Sequence, residues 1–175
     1  MNFHFFKKTI VIFKELSIIR QVNRTRRMKR MSSELLQALN KQVANWTVLY
    51  MKLHHYHWFV KGERFFTLHE KFEELYDEAN EYIDELAERV LILHEKPLST
   101  LNDCLKVSSL EEAQGNETVE QMVQNVINDF ETVCNELKEG IELAEKEGDD
   151  VTADIFIGMM GSLQKHNWML KAFLG

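Results

Sequence analysis

Apolar residues recur at alternating spacings of four and three along most of residues 33–170, and a single proline, Pro97, interrupts them. That spacing stacks side chains down one face of an α-helix, and no stretch shows the period of two that a half-buried strand needs. From Ser33, the residues Leu36, Leu39, Val43, Trp46, Tyr50 and Leu53 form one stripe; His57 falls on it, and Gly62 is expected to end the helix. A second helix is expected to open at Thr67, where Thr67 and Glu70 have capping-box spacing, and to run to about His94, ahead of Pro97. Val119, Met122, Val126, Phe130, Val133, Leu137, Ile141 and Ala144 mark a third, ended by Gly148. Asp149 or Asp150 is placed to cap a fourth, with Ile155, Met159, Leu163 and Leu170 inward.

Residues 97–116 form a long crossover, and its apolar piece from Leu101 to Leu110 suits a short helical turn. Four amphipathic helices with one long connection between the second and third give an all-α, ferritin-like four-helix bundle. At 175 residues and 45% hydrophobic content, the chain can bury one continuous core. Cys104 and Cys134 form no CxxC pair and no disulfide framework, so they read as reduced thiols of a cytoplasmic protein.

Charge divides the chain in two. Residues 1–30 carry nine Lys/Arg against Glu15 alone, whereas residues 31–175 carry 12 Lys/Arg against 27 Asp/Glu. The leader's apolar patch is cut by Lys14 and Glu15 and lacks a small-x-small cleavage site, unlike a signal peptide. No run reaches the roughly 18 uninterrupted apolar residues of a membrane span. Two readings of residues 1–30 stay open: a disordered basic arm able to touch nucleic acid, or sequence upstream of a true start at Met31. Residues 31–175 form the domain.

The chemistry concentrates in residues 54–88. On the second helix, His69 and Glu73 lie four apart, as do Asp84 and Glu88, so each pair projects from one face. Such pairs also arise by chance on a solvated acidic face. At about 100° per residue, however, these four lie between about 0° and 100°, while Phe72, Leu75, Ala79, Ile83, Leu86 and Val90 centre on about 280°. The polar stripe therefore turns away from the core.

Over the 15 residues from His69 to Asp84 a helix rises about 22 Å, whereas the ligands of one ion lie roughly 2 Å from it. One chain cannot close this site along one helix. If the helix pairs antiparallel with a copy of itself about a two-fold axis, facing residues have numbers with a constant sum. The pairs His69/Glu88 and Glu73/Asp84 share that sum, so a closed dimer would set the histidine side of one subunit against the acid side of its partner, twice. Ala79, near the implied axis, would permit close approach. His57, just before the turn, is near enough in sequence to join His69, although a lone histidine there is more often a buried, backbone-bonded one. Mixed histidine and carboxylate ligation suits Fe(II), with Zn(II) the rival on donor type.

The stretch HWFVKGERFFTLHEKFEELYDEANEYIDELAER resembles the signature of the Dps family, the DNA-protection-during-starvation miniferritins, and residues 33–175 match that family in length and helix order. The resemblance implies intersubunit iron ligands at His57, His69, Glu73, Asp84 and Glu88, with Glu73 a weaker one. It implies a ferroxidase that oxidises Fe(II), preferably with hydrogen peroxide, and stores ferric mineral in a dodecameric shell. Other di-iron bundles keep Glu-x-x-His inside one subunit's core, a motif this chain lacks. The resemblance further implies that Trp58 donates an electron to stray oxidants and that Glu145, Asp150 and Asp154 line cation-concentrating three-fold pores. Simple packing for Trp58, and helix-dipole compensation for the acids, are the competing roles. DNA contact would fall to residues 1–30, because an acidic body repels phosphate. The alternative function is a DNA-coating protein that protects physically, without ferroxidase activity.

Overall fold

The computed structural model describes residues 31–175, and the basic extension 1–30 lies outside them. Five helices follow in order: α1 (Ser33–Phe59), α2 (Phe65–Ile92), α3 (Leu101–Val107), α4 (Val119–Glu147) and α5 (Asp150–Leu174). No strand occurs among the described residues. The main packing is pairwise, α1 on α2 and α4 on α5, and α1 also meets α3 and α4. This is the four-helix bundle with a short helix in its crossover.

Local chemistry starts and stops most of these helices. Ser32 Oγ accepts from the Leu35 amide at 3.1 Å, Thr118 and Gln121 form a reciprocal capping box, and Asp149 rather than Asp150 caps α5 by accepting from the Thr152 amide. Gly148 closes α4 in the left-handed conformation, φ 71°.

The start of α2 differs from the expectation. It begins at Phe65 without a side-chain cap, and Thr67 lies exposed within its first turn. Gly62, at φ 97°, bends the chain sharply enough for the Phe65 amide to bond the Gly62 carbonyl at 3.1 Å, so winding begins before the Thr67/Glu70 pair is reached. The bend also follows the end of α1 at Phe59, instead of ending it directly.

The α1 stripe is broader than its apolar spacing suggests. Leu36 and Tyr50 are only half-buried, whereas Leu35, Leu49 and Tyr56 are fully buried, because α1 packs against helices on more than one side. Between α4 and α5, Gly140 faces Phe156. A Cβ there would lie 2.5 Å and 2.9 Å from two atoms of that fully buried ring. Gly140→Ala is accordingly expected to cost about 1–3 kcal/mol by overpacking. Chemical denaturation of Gly140→Ala beside Gly140→Ala/Phe156→Leu checks this: the smaller side chain should restore part of the loss.

Polar contacts pin α2 to α5. Glu78 accepts from His166 Nε2 at 2.7 Å, Ser162 Oγ at 2.5 Å and Tyr82 Oη at 2.7 Å, and Lys71 Nζ donates to His166 Nδ1 at 3.1 Å. Burial alone would raise the Glu78 pKa, but these hydrogen bonds outweigh it and hold the carboxyl at about 2. Farther along, Arg89 grips Asp149 at 2.5 Å and Thr152 at 2.9 Å. Held at its middle and near its end, α2 presents its remaining polar face outward.

Candidate metal centre

The α1–α2 turn brings His57 beside His69. Their rings stack with centroids 3.6 Å apart and planes 20° from parallel. Each Nδ1 donates to the other residue's backbone carbonyl, both at 2.8 Å. A carbonyl only accepts, so a ring proton belongs on Nδ1, and Nε2 is the nitrogen of each ring left to offer its lone pair to a ligand. One face of His69 is covered by Phe65, stacked at 4.8 Å, and Tyr76 packs perpendicular to His57 with ring centroids 5.3 Å apart.

Glu73, one turn beyond His69, completes a cluster: one ligand atom from each of His57, His69 and Glu73 lies within 4.8 Å of the others. The two histidines are largely shielded and the carboxylate is exposed, so the group opens outward. Two imidazole nitrogens and one carboxylate oxygen match the donor preferences of a divalent first-row cation such as Fe(II), and three donors leave coordination positions free.

Asp84 and Glu88 do not join that cluster within the chain. Both are exposed on α2, and Asp84 lies about 16 Å along the helix from Glu73 at the usual rise per residue. They line a shallow groove with Asn80, Ile92, Val151 and Ile155 between α2 and the start of α5. A single chain thus carries a histidine-rich half-site and, separately, an acidic pair.

Ala79 requires a correction. It is 0% exposed, inside its own bundle with Phe72, Leu75, Leu86 and Val90, and so cannot ease the approach of a second α2. Its position on the core side of the helix, about 280° from His69, already conflicts with a place at the outer face. Asp77 and Asn80 are the exposed residues nearest the helix midpoint.

Trp58 is 60% exposed and makes an edge contact with His54 at 5.2 Å. Glu145, Asp150 and Asp154 are all exposed, around the junction of α4 and α5, whereas Asp149 is occupied by capping and by Arg89. Spacing alone missed Phe65 and Tyr76, the aromatic walls of the cluster. Their positions, four before His69 and three after Glu73, were the available signal.

Residues 36–175 match the family described as ferritin-like domain. The chain is 59% identical over 145 residues to general stress protein 20U of Bacillus subtilis (strain 168), covering 83% of this chain and 100% of that protein. It is 50% identical over 144 residues to DNA protection during starvation protein 2 of Bacillus anthracis, covering 82% and 99% respectively. Among solved structures, that of Dps from Staphylococcus aureus superposes with a TM-score of 0.81 at 51% identity, covering 82% of this chain and 97% of that one.

Proposed function

This chain belongs to the ferritin-like family and, within it, to the Dps proteins, and from that premise we propose that it is a miniferritin ferroxidase that protects DNA by oxidising and storing iron. One observation carries the reading: His57, His69 and Glu73 form an open half-site, while Asp84 and Glu88 supply the missing carboxylates on the same helix at the spacing an antiparallel partner requires. The protein works as a homo-oligomer, a dodecamer of two-fold dimers, with Fe(II) as substrate at each intersubunit centre.

The flanks of α2 support the pairing. Phe66 is 84% exposed and Leu91 57%, and their residue numbers share the sum of the ligand pairs, as do those of Phe65 and Ile92. Two copies of α2 placed head to tail would cover these side chains with one another at both ends, excluding water around the centres at a gain of about 25 cal/mol per Å² of apolar surface buried.

In this centre the chain's residues bind and orient. The carbonyl bonds hold the ring proton on Nδ1 and turn Nε2 forward, and the carboxylates of the second subunit balance the charge that grows as Fe(II) becomes Fe(III). Hydrogen peroxide, the preferred oxidant, takes one electron from each of two ferrous ions and, with two protons, leaves as two waters. Fe(II) and peroxide are consumed together, which denies the cell hydroxyl radicals. Trp58 intercepts stray oxidising equivalents, Glu145, Asp150 and Asp154 draw cations through three-fold pores, and ferric mineral collects in the shell of this cytoplasmic protein. Any DNA contact belongs to residues 1–30, outside the described residues.

No helix among the described residues is long and apolar enough to cross a membrane. The test is anaerobic Fe(II) loading followed by a peroxide pulse, with ferric absorbance recorded for the parent and Asp84→Ala. The parent should exceed the protein-free control and the variant should fall towards it. Equal rates in the two proteins would remove Asp84 from the site. DNA protection without any iron oxidation would favour a coating protein instead.

A further inference from the structure

His94 is the one described residue other than glycine with a positive φ, 61°. It stops α2: its amide bonds the Leu91 carbonyl at 2.9 Å, and the following Glu95 amide reaches back to the Val90 carbonyl at 3.1 Å. A stop of this kind needs a left-handed residue, which glycine supplies freely and a residue with a Cβ supplies only at a cost. Nothing within the chain offsets that cost. The imidazole is exposed and makes no hydrogen bond or ring contact among the described residues, whereas His54, His55, His57, His69 and His166 each have one. A residue that breaks a local backbone rule without a local gain points to a task outside its own fold.

The register of the paired helices indicates that task. Glu63 stands two residues before α2 and His94 two residues after it, and their numbers share the sum that relates His69 to Glu88. An antiparallel pair therefore brings Glu63 of one subunit to the His94 end of the other, once at each end. We propose that these two side chains form a second divalent-cation site beside each iron centre, where hydrated Fe(II) exchanges its first waters for protein donors; this rests on the two-fold iron-centre reading.

Both donors are unoccupied. Glu63 is exposed and has no hydrogen bond or ion pair among the described residues, and the neighbouring Arg64 guanidinium lies over the Phe173 ring at 4.7 Å. An imidazole nitrogen and a carboxylate oxygen are the donor types of the centre itself, but two of them leave most of the shell to water, so the ion is held weakly and passes on. His94 is six residues from Glu88, roughly 9 Å of helical rise. Between them stand Leu91 and Ile92, 57% and 63% exposed, with the 84% exposed Phe66 of the other subunit facing them in the same register. A fully hydrated cation is poorly matched to such apolar walls, and one that has already traded waters for two fixed donors meets a smaller penalty on the way in.

The experiment uses the full-length assembly with Co(II), titrated anaerobically by calorimetry. The parent should show a tight class of sites and a second, weaker class. His94→Gly and Glu63→Gln should each lose the weaker class and keep the tight one. In the peroxide-pulse assay each should raise the Fe(II) concentration for half-maximal rate several-fold and leave the maximal rate unchanged. His94→Gly should also melt at a higher temperature than the parent, because glycine takes the left-handed turn without strain, so its lost binding has no origin in misfolding. A short bis-maleimide should link Glu63→Cys/His94→Cys into covalent dimers, with the parent and its Cys104 and Cys134 as the control. The two positions lie at opposite ends of a 28-residue helix, about 42 Å long, so a short link joins two chains and not one. Unchanged Co(II) binding in His94→Gly overturns the site, and absence of the linked dimer overturns the pairing of His94 with Glu63. A parent that forms no ferric iron at all overturns the iron-centre reading on which the site depends.

Discussion

Assemblies formed from equal amounts of His69→Ala and Asp84→Ala subunits are expected to oxidise Fe(II), although neither variant does so alone. In the proposed two-fold dimer each centre takes His57, His69 and Glu73 from one subunit and Asp84 and Glu88 from the other. A mixed dimer therefore contains one centre with both defects and one with none. If subunits pair at random, half of the dimers are mixed, and about a quarter of the parent's centres are restored. Loss of a direct ligand should cost no less than the roughly 10–100-fold typical of an outer partner to a metal ligand, so the homogeneous variants give a low baseline. Co-expression with two affinity tags, followed by tandem purification and a peroxide-pulse assay, makes the measurement. Mixed assemblies no more active than the better single variant would show that the centre is not shared. Because no residue of one chain compensates for a loss within that same chain, recovery has no other simple source.

Lys52→Met is expected to produce the largest loss of stability from a single substitution of a polar side chain in the bundle. Lys52 on α1 donates to Asp129 on α4 at 2.6 Å, and their side chains are 5% and 12% exposed. Burial pushes the Asp129 carboxyl above its usual range, and the nearby Lys52 charge and hydrogen bond only partly restrain it. Removing the lysine leaves a shielded carboxylate unpaired, at a cost of about 3–5 kcal/mol near neutral pH.

The pH dependence gives a second check on the same variant. A carboxyl whose folded pKa lies above its unfolded value disfavours the folded state when ionised, and the penalty disappears as pH falls through the folded pKa. Asp129 rises further without Lys52, so the deficit of Lys52→Met should shrink as the solution is acidified from neutral towards the ordinary carboxyl value of 3.8. Lys52→Met/Asp129→Leu should recover most of the loss at neutral pH, because apolar replacement of both partners leaves nothing unpaired. Urea denaturation across that pH range measures all three proteins. A constant deficit for Lys52→Met would place its origin in packing instead.

The chain's own pattern was enough for the architecture. Four helical stripes, a cap at Asp149 or Asp150 and the stop at Gly148 are local or periodic properties, and each is readable without knowing what lies across the core. The outward face bearing His69, Glu73, Asp84 and Glu88 was equally readable, because helix geometry alone converts residue number into direction and height. The start of α2 was not, since the bend at Gly62 outweighed the favourable spacing of Thr67 and Glu70.

Residue order could place His57 near His69 only by proximity to a turn. Tertiary structure decided that the two rings stack and exchange carbonyl hydrogen bonds, which sets the free nitrogen of each. It also assigned Ala79 to the core and enclosed the cluster with Phe65 and Tyr76. Such contacts depend on the crossing of α1 over α2 and on individual rotamers, which arise from packing between distant segments and carry no period in the sequence.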